Sequence, residues 1–321
     1  MKEQKSGNLS IGDIISFVAL FVLGITVFFG MNFMTLGNKI PSIVVALLLF
    51  IIMMVFIFLA AHAKQQDRNR ETWKKVEYAM VGLYLLTLIP CYIYSAKFFD
   101  IQLKKDEITK IVNNDIEDIN NMFAEYTKKC ESRSNNFKTE LEALYLSKEG
   151  RQQIVNMDEF KDLNISASEL KRSNIDQIVS SFSDHLLKGR DISALKLEKK
   201  NLVENCETNF KSWNILFISQ YVTELSEAKE KYSKELGEIY SKKKSAIEKE
   251  VPQFDTSSFV NESNIKSKFS NSSEFSVLGF MAVIILGILG MVKWMFSPSS
   301  RVIPLKNGSG DTITEDGGYK I

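Results

Sequence analysis

The sequence predicts an all-α membrane protein: four transmembrane helices, with an elongated extracytoplasmic helical bundle inserted between the third and the fourth. Three observations carry this. The apolar residues collect in four blocks of span length instead of being spread along the chain. The long polar segment between the third and fourth blocks keeps apolar residues at 3/4 spacing and has few helix breakers. The Lys and Arg residues of the short connections gather on one side of the bilayer.

Taken in order, residues 1–10 are a short basic start, expected in the cytoplasm. Ile11–Phe33 is a 23-residue apolar run with Asp13 at its edge. About 20 residues cross the hydrocarbon core, and a cleaved signal has an apolar region of only about 7–15, so this run is expected to be a retained anchor. Ile40–His62 is the most apolar block. Within Ile43–Ala60, 14 residues are Ile, Leu, Phe or Val and none is charged. At about 0.3–0.6 kcal/mol each, they favour insertion by at most about 4–8 kcal/mol.

Residues 63–75 carry Lys64, Arg68, Arg70, Lys74 and Lys75, the strongest cytoplasmic signal in the chain. Val76–Phe99 is the third span, with Pro90 expected to kink it and Tyr92 and Tyr94 near its end. Phe275–Phe296 is the fourth, ending on Lys293 and Trp294, and residues 297–321 form a short, Gly- and Ser-containing tail. This orientation places both ends inside, with Lys2, Lys5, Arg301, Lys306 and Lys320, and residues 100–274 outside the cytoplasm.

The segment 100–252 is expected to be the helical domain and 253–274 an irregular linker. Ile108, Val112, Ile116, Ile119, Phe123 and Tyr126 form a helical stripe that continues the third span as a stalk until Ser147–Gly150. Leu170–Leu186 suggests a shorter helix, capped by Ser166 or Ser168. Gly189–Asp191 reads as a turn. From about Ala194 to Val251 the pattern predicts one long helix with Glu227–Lys231, Glu230–Lys234 and Glu238–Lys242 paired at i,i+4, stopped by Pro252. Two long helices with a smaller element at the far end imply an antiparallel bundle.

Cys130 and Cys206 form a candidate disulfide across the two helices, weighed evenly against two unpaired core thiols. Gly24 and Gly30 in the first span, and Gly279, Gly287 and Gly290 with Ala282 in the last, are candidate close-packing positions for neighbouring helices. His62 and His185 are isolated. The segment 100–274 holds 27 basic and 31 acidic residues, which argues against nucleic acid as a partner. No zinc-ligand spacing, P-loop, nucleophile elbow or HExxH motif occurs, and the spans carry no carboxylate at mid-depth, so neither a cofactor, an enzyme nor an ion-driven transporter is expected. Asn-x-Ser/Thr sequons at Asn164, Asn261 and Asn271 matter only in a eukaryotic secretory pathway.

Three apolar blocks at Ile11–Phe33, Ile40–His62 and Val76–Phe99, charged helices from Asp100 to Val251 and a last block at Phe275–Phe296 give a layout that resembles TssN, the inner-membrane subunit of the type VI secretion systems of Bacteroidota. The resemblance is architectural and carries no site residues across. It implies a non-enzymatic subunit of a bacterial trans-envelope complex, oligomeric, set in the inner membrane and meeting other membrane and periplasmic subunits through the helical domain. The alternative from another class is a membrane sensor whose periplasmic helical domain binds a ligand.

Overall fold

The computed structural model describes residues 10–66, 69–242, 244–245, 247–250, 252–259, 265–270 and 275–298. Arg68, Lys2, Lys5, Arg301, Lys306, Lys320 and the sequons at Asn261 and Asn271 lie outside the described residues. Among the described residues all regular structure is helical: α1 Ile11–Met34, α2 Lys39–Gln65, α3 Arg70–Leu103, α4 Lys105–Tyr145, α5 Lys148–Val155, α6 Asp158–Lys161, α7 Arg172–Lys188, α8 Arg190–Lys211, α9 Ile218–Lys242, α10 Ile265–Ser270, α11 Val277–Gly290 and α12 Val292–Phe296. Four stretches are long and apolar enough to cross a membrane: α1, α2, α3 and Val277–Phe296. The chain divides into two compact units, one of Met1–Gly24, Leu47–Cys91 and Ala282–Ile321, the other of Ile25–Ala46 and Tyr92–Met281.

In the first unit, small and polar groups face one another while large apolar side chains point outward. The Tyr84 hydroxyl donates to the Gly287 carbonyl at 2.8 Å, and Ser16 Oγ accepts from the Lys293 amide at 2.9 Å. Leu47, Leu48, Ile51, Val55, Phe58, Leu86 and Ile89 are exposed, as lipid-facing residues would be. The helix α3 starts at Arg70, six residues before the apolar block, so Arg70, Lys74 and Lys75 are helical, not loop residues. It runs unbroken through Pro90.

The second unit holds the bundle. Helix α4, 41 residues long, follows α3 after a break at Lys104 alone. It ends where Ser147 caps α5 by accepting from the Gly150 amide at 2.8 Å, the break the sequence indicated. Helices α7 and α8 run back along α4: Arg172 meets Glu142, Phe137 meets Phe182, Lys199 meets Asn120 and Trp213 meets Gln102. The sequence placed a cap for α7 at Ser166 or Ser168, but Ser166 closes a separate turn with Glu169, and the Asn174 side chain accepts from the Lys171 amide at the true start.

The expected single helix from Ala194 to Val251 is two. It breaks at Ser212–Phe217, where Trp213 takes φ +49°. The Asn214 amide donates to the Asn209 carbonyl at 2.8 Å and the Trp213 amide to Phe210 at 3.2 Å, a Schellman closure with tryptophan at the position glycine usually fills. That left-handed conformation costs a non-glycine residue about 1–2 kcal/mol. The apolar 3/4 spacing continues through the break, which is why periodicity concealed it.

After Trp213, α9 turns and runs parallel to α4 and antiparallel to α8. Three of the six charges read as i,i+4 pairs instead bridge helices: Lys231 to Glu198 at 2.7 Å, Lys242 to Asp191 at 2.9 Å, and Glu227 to Lys266 at 3.5 Å. The segment expected to be an irregular linker is also part of the core. Phe254 packs on Tyr126 and Tyr240, Ser233 bonds Thr256, and Phe269 of α10 packs on Phe33. Three helical rods and a descending segment therefore stand where two long helices with a smaller element at the far end were expected.

Candidate functional site

The bundle buries charge at two levels along α4. Its apolar stripe reads Ile108, Val112, Ile119, Met122, Tyr126, Cys130, Phe137 and Leu141, and two of the seven-residue-repeat positions between them are Asp115 and Arg133. On α9, Lys229 occupies the same phase among Val222, Leu225, Tyr232 and Leu236. Charged residues in stripe phase were the sequence signal for these sites.

Lys229 is 4 % exposed, and its ammonium donates to Asp115 Oδ1 at 2.9 Å and Asp118 Oδ2 at 2.8 Å. Burial pushes its pKa down, but the hydrogen bonds and charges of Asp118 and Asp115 outweigh that and hold it above the ordinary lysine value. Asp115 is equally enclosed, while Asp118 is on the rim. Removing one partner of such a pair strands a buried charge, so the pair fixes how α9 sits along α4.

Arg133 lies a few turns further on. It forks onto Glu248, Nε to Oε1 at 2.5 Å and Nη2 to Oε2 at 2.7 Å, and donates from Nη1 to the Tyr240 carbonyl at 2.7 Å. Its guanidinium stacks on Phe182 and Tyr240, 5.2 and 5.1 Å from the ring centroids. Glu248 also accepts from the Ser245 amide. Partial burial raises the Glu248 pKa, but Arg133 and Ser245 overcome this and leave it below the usual carboxylate value. One arginine thus joins α4, α7, α9 and the segment after α9.

The charged groups at these levels engage one another, and among the described residues none is a nucleophile beside a base. Among the described residues no group of three His, Cys, Asp or Glu is placed to hold a metal ion. The disulfide weighed between Cys130 and Cys206 is not formed: both are buried free thiols. The reason is register. Lys199 meets Asn120 and Trp213 meets Gln102, so Cys206 stands at a level of α4 between those points, and Cys130 is ten residues beyond Asn120, about 15 Å or more along the helix. A bridge needs Cα atoms within about 7 Å. Burial pushes the thiols up, Cys130 to about 11 and Cys206 to about 12, which keeps them protonated and unreactive.

No known protein family, curated protein or solved structure matches the chain. Its chemistry is therefore read from its own geometry.

The predicted packing glycines divide. A Cβ at Gly30 would strike the Tyr94 carbonyl, and one at Gly279 would lie 2.9 Å from the Ala96 Cα, so these two seat α1 and α11 against the α3 backbone. At Gly290 a Cβ would meet Tyr84 Oη at 2.5 Å, and at Gly287 the Leu88 side chain at 2.9 Å. Gly24 has only an ordinary contact, Phe50 Cβ at 3.8 Å, and is not a close-packing position.

Two of the basic residues read as topology signals, Lys64 and Arg70, also have structural partners. Lys64 donates to the Trp294 and Met295 carbonyls at 2.8 and 3.0 Å, closing the end of α12. Arg70 donates to the Ala63 carbonyl at 3.2 Å and pairs with Glu77 at 3.6 Å, and Glu77 accepts from Trp294 Nε1 at 3.0 Å. Lys293 pairs with Asp13 at 2.6 Å. Lys74 and Lys75 are exposed. His62 sits beside Gln66 and Trp73.

Proposed function

We propose that this chain is a non-enzymatic scaffold subunit of a bacterial envelope-spanning secretion complex, of the type VI kind that TssN represents. It would anchor the assembly in the inner membrane and meet membrane and periplasmic subunits through the bundle. The observation that supports this most directly is the commitment of buried charged groups to one another: Lys229 to Asp115 and Asp118, and Arg133 to Glu248 and Tyr240, hold helices in register and, among the described residues, leave no reactive constellation. A register-locked bundle, in a chain that also carries four apolar helices, suits load-bearing contact with other proteins.

The basic residues between α2 and the start of α3 favour a cytoplasmic position for that end, with residues 100–274 in the periplasm. Cysteine introduced at Lys188 should react with an impermeant maleimide on intact spheroplasts; reaction only in inverted vesicles reverses the orientation. Cross-linking of the native membrane followed by purification should recover secretion-complex subunits with the chain. Recovery of the chain alone, at monomer mass, removes the scaffold reading.

The sensor reading has one observation in its favour. A groove lined by Asp158, Glu159, Asp162, Ile178, Phe182 and Lys244 opens beside α6 and α7. A thermal shift of the bundle with a small cationic solute, abolished by Asp162→Asn, would favour it over the scaffold.

A further inference from the structure

We infer that the turn between α8 and α9, Ser212–Phe217, is a lipid-contacting element that seats the bundle on the membrane surface. The inference rests on the reading of α1 and α2 as membrane spans. Two consecutive spans turn round at Thr35–Asn38, so that turn marks the membrane–water boundary.

The first turns of α9, into which the α8–α9 turn leads, lie directly on it. A Cβ at Gly37 would come within 3.0 Å of the Gln220 backbone, Thr223 Oγ1 donates to the Leu36 carbonyl at 3.3 Å, and Asn32 Nδ2 donates to Ser219 Oγ at 3.1 Å, with Asn32 and Ser219 fully buried. Lys39, the first residue of α2, sits 4.3 Å over the Phe217 ring. The two turns therefore share one level.

The composition of the turn matches that level. Its residues read Ser-Trp-Asn-Ile-Leu-Phe, and no acidic residue occurs between Glu207 and Glu224. Leu216 is 44 % exposed, and Ile40 at the adjoining start of α2 is 75 % exposed. Lys211 is exposed beside the turn. Aromatic rings with a polar tip, exposed aliphatics and lysines without carboxylates are what the headgroup boundary selects, the lysines meeting lipid phosphates. Trp213 itself is buried and shapes the turn from within: its indole Nε1 donates to Gln102 Oε1 at 2.9 Å, Lys105 lies over its ring at 5.4 Å, and its left-handed backbone turns Leu216 to the outside. The exposed apolar surface continues from Leu216 and Ile40 into Ile43 and Val44 on the outward face of α2, so the occupant we assign is the bilayer itself.

The test uses the full chain in phosphatidylethanolamine/phosphatidylglycerol liposomes, with Cys91, Cys130 and Cys206 replaced by alanine and a nitroxide placed by Leu216→Cys. Its collisional ratio of oxygen to a nickel chelate should be severalfold above that of Leu197→Cys and Leu146→Cys, and near that of Leu48→Cys in α2. A ratio equal to that at 197, or shielding of 216 from both reagents by protein, overturns the inference. If Leu48→Cys itself reports water, the spanning reading fails and the inference with it. Hydroxyl-radical footprinting of the unmodified chain in the same liposomes gives a second measurement should the replaced chain misfold. Oxidation of Leu216 severalfold slower than that of Leu197 supports the assignment, and equal rates overturn it.

Discussion

The apolar helices and the charged bundle solve the packing problem in opposite ways. Along α1, α2, α3 and α11 the buried positions include Ser16, Thr26, Ser42 and Ser95, and the exposed ones include Val18, Leu48, Val55, Leu86, Ile93 and Ile285. In the bundle the buried positions are Ile108, Val112, Phe137, Phe182, Leu225 and Leu236, and the outer face is Lys, Glu and Asn. One region turns many large apolar side chains outward and admits small polar residues to its packing beside Leu20, Leu23, Met53 and Ile57; the other hides apolar residues from water. For helices that lie in lipid, which supplies no hydrophobic drive between them, close backbone approach and shared hydrogen bonds such as Thr26–Ser95 at 2.8 Å would do the holding. Water supplies that drive freely, and the bundle spends some of it on buried charges that fix register.

The largest effect should come from breaking such a charge. Lys229→Met leaves Asp115 buried without its cation and should destabilise the bundle by about 3–5 kcal/mol, read as a lower denaturant midpoint of its helical signal. Asp115→Leu added to Lys229→Met should recover most of this. Equal stability of Lys229→Met and the parent would show that the pair does not hold α9 to α4.

The second effect carries a pH signature. Glu248 is held below its ordinary value of 4.5, so the stabilisation from Arg133 is complete above that pH and is lost as pH falls through the lower folded value. Glu248→Gln should cost about 1.5–3 kcal/mol at neutral pH by weakening a charged hydrogen-bond fork. The gap between the variant and the parent should close below pH 4.5. A gap that stays constant down to pH 3 would mean that the carboxylate charge contributes nothing.

The third tests the apolar region. Gly30→Ala drives a methyl into the Tyr94 carbonyl and should cost about 1–3 kcal/mol, whereas Gly24→Ala, facing Phe50 Cβ at 3.8 Å, should be near neutral. Thermal stability in detergent separates them. Equal loss at both positions would remove the distinction drawn between the two glycines.

Much of this was legible in the sequence, and the failures share a cause. The four apolar stretches follow from runs of Ile, Leu, Phe and Val long and apolar enough to cross a bilayer. Helix α4 follows from its unbroken stripe, and its end from Ser147 and Gly150. The α8–α9 break was hidden because Trp213 adopts a glycine-like conformation and the apolar spacing continues across it. Lys231 and Lys242 had partners available both within α9 and across to α8, and only tertiary register decides between them. The phenylalanines of the segment after Pro252 signalled burial, but its Ser and Asn content masked them. Asp115, Arg133 and Lys229 stand in phase with the apolar stripe, and reading charge by phase would have found them.

The smallest effect discriminates the two surroundings most cleanly. Gly237 in α9 and Gly82 in α3 both lie in helix interiors with nothing within 4 Å of where a Cβ would stand. In water, glycine weakens a helix because the unfolded chain gains more freedom there than with alanine, so Gly237→Ala should stabilise the bundle by about 0.5–1 kcal/mol. In lipid, the separated state of α3 stays helical, because its backbone groups have no water to turn to. The freedom that alanine would remove is already absent at Gly82, and Gly82→Ala should change stability by a few tenths of a kcal/mol at most. Denaturation midpoints of the two variants in one detergent should therefore differ in sign or size. An equal gain at both positions would mean that α3 unfolds into water and that its apolar surround is not a bilayer.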